Sequence, residues 1–371
     1  VKIAIIINSA PPFPVSGSEQ QGMTMAGLLA ARGHDVRLFA RAYGGAPVVE
    51  SMDGYRLIRV PFVNWPALQF LSHRWNFDRL FARHAADVDV ILAYQTFVPG
   101  YLGARAGQRH QIPMVLWIRS IMDFELAKVQ RLAWAMGQIL PHCRHLLLQS
   151  ERLRAPFLAE VRQSLGPPMA DRIAQRISIG RNGVAIHAEG PSEGDELLVV
   201  GRLIPLKDLS TLIRALRLLP NPPPTRFIGD GPLLAALEKE ATGLPVTFAG
   251  RIDPADLPAE YRRARVLVMT STTEGMPNVI LEAMAAGVPV VSTPVGSIPD
   301  IVKPDETGFL FPVGDAEALA AHLTRLFGDR ALRDRLAAGA FAEARRYSWE
   351  RVVGEVERLL QQLSRPSGKG Q

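Results

Sequence analysis

Short apolar runs alternate with longer amphipathic stretches from the first residue onward. Runs rich in Val, Ile and Leu read as buried strands, and the periodic stretches between them read as helices. Strands are predicted at 3–7, 36–40, 57–61, 88–93, 114–118 and 145–149. The polar, glycine-rich segment 189–195 interrupts this series, which restarts at 197–200, 226–228, 246–248, 266–269 and 288–292. Such alternation defines a parallel sheet covered by helices on both faces, with ligands beyond the strand carboxyl ends. Two doubly wound α/β units are therefore expected, over 1–185 and 186–347. A last helix is predicted over 348–363, where Val352, Val353, Val356, Leu359, Leu360 and Leu363 recur at helical spacing. The tail 364–371 holds Gly, Ser, Pro and Lys without a core residue and is expected to be disordered.

Composition narrows the setting. A chain of 371 residues accommodates two ordinary domains. Its single cysteine, Cys143, excludes an internal disulfide and fits a reducing compartment. His142 and His145 flank it, but no second ligand pair stands at zinc-site spacing. No apolar run reaches the length of about 18 residues that spans a bilayer, and residues 1–7 read as a strand rather than a secretion signal. A cytoplasmic protein is expected, on the inner membrane face if it meets a membrane. The net charge of +6 is uneven, with 21 Lys and Arg against 12 Asp and Glu in 1–185 and a slightly acidic remainder. That basic half also carries Trp65, Phe70, Trp75, Phe77 and Trp134. A solvated basic face and a surface for anionic lipid both fit this mixture; no nucleic-acid module accompanies it.

The richest chemistry lies between Glu274 and Glu282. Gly275-Met276-Pro277-Asn278 follows a predicted strand and opens a predicted helix, because proline is tolerated in a first helical turn but not deeper. A helix amino terminus is a ready anion site, and the flanking carboxylates suit hydroxyl groups. Phosphate beside hydroxyls points to a sugar nucleotide; two solvated acids are the alternative. Upstream, Arg202 and Lys207 follow another strand at the start of a helix, where a guanidinium fork and an ammonium can stabilise a diphosphate or stand as solvated cations. Gly229-Asp230-Gly231 allows close backbone approach after the next strand.

Residues 274–296, with Gly201-Arg202 and Lys207, resemble the signature of retaining GT-B glycosyltransferases of family four, the group 1 glycosyl transferases. The resemblance implies two Rossmann-like domains facing across a cleft, the first binding acceptor and the second binding nucleotide sugar, with a carboxyl-terminal helix crossing back to the first. It implies a catalytic group of Glu274, Arg202 and Lys207, with the two cations on the diphosphate and Glu274 near the sugar. Donor binding falls to Gly17, Ser18, Gly229, Arg251, Ile252, Gly275, Met276, Pro277, Asn278 and Glu282, the last on the ribose hydroxyls. The acceptor side would hold Ser16, Arg119 and Asp123. Arg119 stands where many relatives carry histidine; it cannot act as a base and could hold an anion or pair with Asp123. After Gly296 the family's second glycine and glutamate are replaced by Ser297-Ile298-Pro299-Asp300.

The activity so implied is hexosyl transfer with retention, from a nucleoside-diphosphate sugar as co-substrate to a sugar, lipid or lipid-linked acceptor. Neither a resident cofactor nor a metal is expected. Asp87-Val88-Asp89 has the spacing of a metal-binding pair but precedes its strand, at the end away from the ligand crevice. A GT-B-like epimerase, a phosphorylase and a catalytically idle sugar-nucleotide binder stay open. No Gly-x-Gly-x-x-Gly fingerprint opens the first unit, which disfavours a dehydrogenase.

Overall fold

A computed structural model describes all residues except 14–15, 44, 120–129, 187–193 and 365–371. Asp123, most of the glycine-rich junction and residues 365–371 of the tail expected to be disordered lie outside the described residues, while Ser364 donates its amide to the Leu360 carbonyl at 2.9 Å. The chain forms two compact units: Val1–Asn182 with the chain from Val352 on, and Gly183–Arg351. The division falls at 182/183 rather than 185/186 because Val184 bridges Ser348, and Trp349 donates its amide to the Val184 carbonyl at 3.0 Å.

The first unit holds strands β1 (Lys2–Ser9), β2 (Asp35–Arg41), β3 (Val49–Met52), β4 (Tyr55–Val60), β5 (Val90–Tyr94), β6 (Met114–Ile118), β7 (Cys143–Leu148) and β8 (Ile177–Ile179). Their order is β3-β4-β2-β1-β5-β6-β7-β8, parallel except for the antiparallel β3–β4 pair. The second unit holds β9 (Glu196–Val200), β10 (Thr225–Ile228), β11 (Val246–Phe248), β12 (Ala264–Met269), β13 (Val290–Ser292) and β14 (Gly308–Leu310), ordered β11-β10-β9-β12-β13-β14 and wholly parallel. Strands β3, β8 and β14 were not expected from the apolar pattern. Each is only three or four residues long, and β3 alternates exposed and half-buried positions at a sheet edge.

Side-chain alternation explains the layers of the second unit. Leu197, Val199, Phe227, Val266 and Val268 enter one core with the helices Leu209–Leu218 and Ala316–Gly328. Leu198, Ile228, Leu267 and Met269 enter the other with the helix Asn278–Ala285. A strand apolar on both faces needs cover on both. Pro220 stops Leu209–Leu218 by barring helical geometry in the residue before it.

At the strand amino ends of the first unit, Asp87 is bonded by Arg37 and Lys2, and Asp89 accepts from the Lys2 amide at 2.8 Å. These bonds hold the Asp87 carboxyl below its usual range, the Arg37 bond contributing most. Both aspartates serve as end anchors of the sheet. Cys143 is buried with Sγ 3.3 Å from the Ile139 carbonyl, and burial pushes its thiol up. Among the described residues no cluster of three or more His, Cys, Asp or Glu side chains could hold a metal, and no helix is long and apolar enough to cross a membrane.

The last helix, Trp349–Leu363, buries Val352, Val353, Val356 and Leu360. Glu357 on it accepts from Arg32 at 2.7 Å and lies 2.7 Å from His34 Nε2. His34 above all, then Arg32, holds the Glu357 carboxyl below its ordinary range. A depressed carboxyl contributes stability above its unfolded pKa and loses it as pH falls through the folded value. Glu357→Gln should therefore cost about 1 kcal/mol near neutral pH, and the loss should vanish in acid. Urea unfolding across pH checks both statements.

Candidate active site

Both sheets reverse their strand order at one point, beside β1 in the first unit and beside β9 in the second. Loops leaving the strands on either side of such a switch diverge to opposite faces and open a crevice at the carboxyl edge. In the second unit the segments after β9 and β12 are those carrying Arg202, Lys207 and Glu274.

These segments are tied together at their backbone carbonyls. A 3-10 turn, Pro205–Lys207, is followed by Asp208 in left-handed geometry (φ 41°), which turns the chain into the helix Leu209–Leu218. Thr270 Oγ1 donates to the Lys207 carbonyl at 2.6 Å, and the Thr272 amide donates to Leu206 at 2.9 Å. From the other side, Thr293 Oγ1 donates to the Ser271 carbonyl at 2.6 Å. Ser297 donates its amide and its hydroxyl to the Gly275 carbonyl, at 3.0 and 2.7 Å. The loop that carries Glu274 is thus braced from both neighbours.

Within it, Lys207 Nζ lies 2.5 Å from Glu274 Oε1, and Ser271 Oγ donates to that oxygen at 2.7 Å. Both charged side chains are mostly buried, whereas Arg202 is exposed. The second carboxylate stands on the helix Asn278–Ala285, which begins as expected just after Pro277. Met276 turns its side chain into the core below. Glu282 accepts from the Tyr261 hydroxyl at 2.7 Å. Burial raises the Glu282 carboxyl above its ordinary range, against the Tyr261 bond, which lowers it. Burial first, and then the neighbouring Glu282, raises the Tyr261 phenol well above its own.

Glycines set the remaining geometry. Gly229 (φ 132°) approaches Gly201 so closely that a Cβ there would stand 1.9 Å from the Gly201 carbonyl oxygen. Gly296 (φ 58°) would place a Cβ 2.1 Å from the Glu274 carbonyl oxygen. The turn after β11 brings exposed Arg251 to 3.9 Å from Asp230, with half-buried Ile252 beside it in sequence.

In the first unit, Gly17 and Ser18 do not lie in a loop. They open the helix Gly17–Ala31, because Ser16 and Glu19 form a reciprocal capping box in which the Ser16 amide donates to Glu19 at 3.0 Å. The spacing Ser-x-x-Glu was the legible signal for that boundary. Arg119 is buried at the end of β6, its guanidinium 4.9 Å from the Trp117 ring centre and 5.2 Å from that of Tyr94. Two site residues had no such signal: Tyr261, which supports Glu282, and Ser297, which holds Gly275.

Charged and glycine-rich turns at the carboxyl edge of a parallel sheet mark a doubly wound α/β protein, and the paired units have the GT-B fold. Residues 194–329 match the family described as Glycosyl transferases group 1, and residues 16–167 match the Glycosyl transferase 4-like domain. The chain belongs to the group 1 glycosyl transferases. It is similar to sulfoquinovosyl transferase SQD2 of Arabidopsis thaliana, 37% identical over 46% of this chain and 34% of that one. It is also similar to the D-inositol 3-phosphate glycosyltransferase of Thermomonospora curvata, 29% identical over 97% and 94% of the two chains. Among solved structures, Anabaena HepE in complex with UDP superposes with a TM-score of 0.79 at 22% identity, covering 98% of this chain and all of that one.

Two outcomes follow from this geometry. Gly296→Ala should cost about 2 kcal/mol or more, because backbone and carbonyl must both shift; thermal unfolding measures it. Tyr261→Phe removes the only lowering influence named above, so the Glu282 carboxyl should rise further. A raised carboxyl loses stability as pH climbs from the unfolded pKa through the folded one. The variant should therefore show that decline extending to higher pH than the parent, in chemical denaturation across a pH series.

Proposed function

We propose that this chain moves a sugar from a nucleoside-diphosphate sugar to an acceptor hydroxyl, with retention at the anomeric carbon. The observation that carries the reading is the pair Lys207–Glu274, held at the carboxyl edge of a parallel sheet by threonine hydroxyls that donate to the backbone carbonyls of Lys207 and Ser271. A cation and a carboxylate held in fixed positions suit a reaction that separates a phosphate anion from a sugar. Arg202 and Lys207 bind the diphosphate and stabilise its developing charge, in the place a divalent cation takes elsewhere. Donor phosphate competes with Glu274 for Lys207, leaving Glu274 to the sugar.

Glu282, oriented by Tyr261, receives the ribose hydroxyls, and the backbone of Gly275, Met276, Pro277 and Asn278 lies along the donor. Gly229, Arg251 and Ile252 contact the nucleotide. The acceptor oxygen bonds to the anomeric carbon as the carbon–oxygen bond to the diphosphate breaks. The acceptor proton passes to the departing phosphate, so Glu274 forms no covalent bond. Ser16, Gly17 and Ser18, at the amino end of their helix, serve acceptor and phosphate. Arg119, resting against the packed rings of Tyr94 and Trp117, offers a cation to an anionic acceptor, and Asp123 belongs with it. A sugar, a lipid or a lipid-linked glycan fits that chemistry. HepE, solved with UDP, supports a nucleoside diphosphate as the leaving group on this fold.

Calorimetric titration with uridine, guanosine and adenosine diphosphates in the presence of chelator should find one that binds, and Glu282→Ala should weaken it by about tenfold or more. With the matching sugar donor, Lys207→Ala should lower turnover about a hundredfold or more, and proton NMR of the first-formed glycoside should show the donor's anomeric configuration. Absence of binding to every nucleotide, with or without magnesium, would overturn the reading. Release of sugar phosphate instead of nucleoside diphosphate would redirect it to phosphorolysis.

A further inference from the structure

The helix Pro66–His84 leaves one face uncovered. At about 100° per residue, Leu68, Leu71, Trp75, Arg79 and Arg83 fall within about 120° of one another, and Phe77, Leu80 and Phe81 lie opposite. The opposite side is in the core, with Phe77 and Phe81 packed on Phe39 at ring distances of 5.4 Å. On the free side Trp75 is 63% exposed, Leu68 and Leu71 are each 50% exposed, and Trp65 just before the helix is 66% exposed. Large apolar groups so exposed on neighbouring turns mark an interaction surface.

Its charge names the partner. The apolar end of the stripe runs into Arg79 and Arg83, both exposed, and Arg79 reaches back over the Trp75 ring at 6.0 Å. Asp78, at the margin of the face, is bonded by Arg105 at 2.8 Å and lies 3.7 Å from Arg109. Its negative charge is matched twice over. The surface is therefore apolar at one end, cationic at the other and bordered by further arginines. Tryptophan at an apolar–polar boundary with arginine beside it is the composition of a helix lying in a membrane interface. A protein partner would have to offer acids to the arginines and a pocket to each indole; a bilayer with anionic headgroups offers both over its whole plane.

We propose that this face, Trp65, Leu68, Leu71 and Trp75 with Arg79 and Arg83, docks the protein on an anionic bilayer. The indoles and leucines enter the headgroup region and the guanidinium groups bind lipid phosphate. None of these residues has a part in the transfer chemistry above, so docking and catalysis are separable.

Flotation of the whole protein with vesicles of phosphatidylcholine and phosphatidylglycerol, beside phosphatidylcholine alone, tests the assignment. The parent should float with the anionic vesicles at low salt and less at high salt. Trp65→Ser with Trp75→Ser should weaken partitioning by about tenfold or more, and Arg79→Glu with Arg83→Glu should abolish the preference for anionic lipid. All four positions are exposed, and an unchanged melting temperature verifies the fold of each variant. Failure of the parent to float with either vesicle, or flotation of the tryptophan variant equal to the parent's, would overturn the proposal. A Trp75-dependent dimer without flotation would assign the face to a second copy and overturn it as well. Nucleotide binding, measured in parallel, reports on the donor reading alone.

Discussion

A parallel sheet cannot be built from hairpins, and most of this protein follows from that constraint. Every parallel strand must be followed by a crossover that carries the chain back to the starting edge. Helices therefore cover both faces, strands are apolar on both sides, and each segment that leaves a strand does so at the same edge. Lys207 and Glu274 are distant in sequence, yet β9 and β12 are neighbours, so the segments after them meet. The reversal of strand order beside β9 opens the crevice into which their side chains can act.

What holds that edge is a set of main-chain carbonyls met by amides and by threonine and serine hydroxyls. Carbonyls of Leu206, Lys207, Ser271 and Gly275 each accept from a neighbouring loop. Glycine is required where two such loops touch, at Gly229 against Gly201 and at Gly296 against Glu274. The acceptors are groups common to every residue type, but the hydroxyls of Thr270, Thr293 and Ser297 are among the donors, so part of the frame is side chain. The departure from the family at Ser297 illustrates the point, because the serine hydroxyl there supplies one more bond to the frame.

Legibility in the sequence tracked the strength of local patterns. Central strands are recognisable because burial on two faces demands unbroken apolar runs, and the predicted segments coincide with β1, β2, β4 to β7, β9, β10, β12 and β13, and with the edge strand β11, within a few residues. Strands β3, β8 and β14 are edge strands of three or four residues, too short to leave such a run, although β11, an edge strand of the same length as β8 and β14, was found. Pro277 marked a helix start correctly because its constraint is covalent. The start at Gly17 was equally available in Ser16 and Glu19, and the two glycine-like positions read instead as loop. Tyr261 could not be found, since its relation to Glu282 is made by a helix and a strand between them folding together. Arg119 was located by its strand, but its place against Tyr94 and Trp117 depends on β5 and β6 lying side by side.

The ends of the second unit lie side by side, Val184 against Ser348, while the first unit is completed only by the helix that follows. This makes the second unit an unbroken insertion in a discontinuous host, and it sets an order of events at the ribosome. Chains emerge amino end first, and domains fold as units as they appear. The second unit has its whole sequence once Arg351 has emerged, whereas the first must wait, its sheet assembled but the side awaiting Val352, Val353, Val356 and Leu360 still wet. The earlier-made domain is thus the later one to be finished, and its last apolar surface is sealed only after the other unit is already able to form.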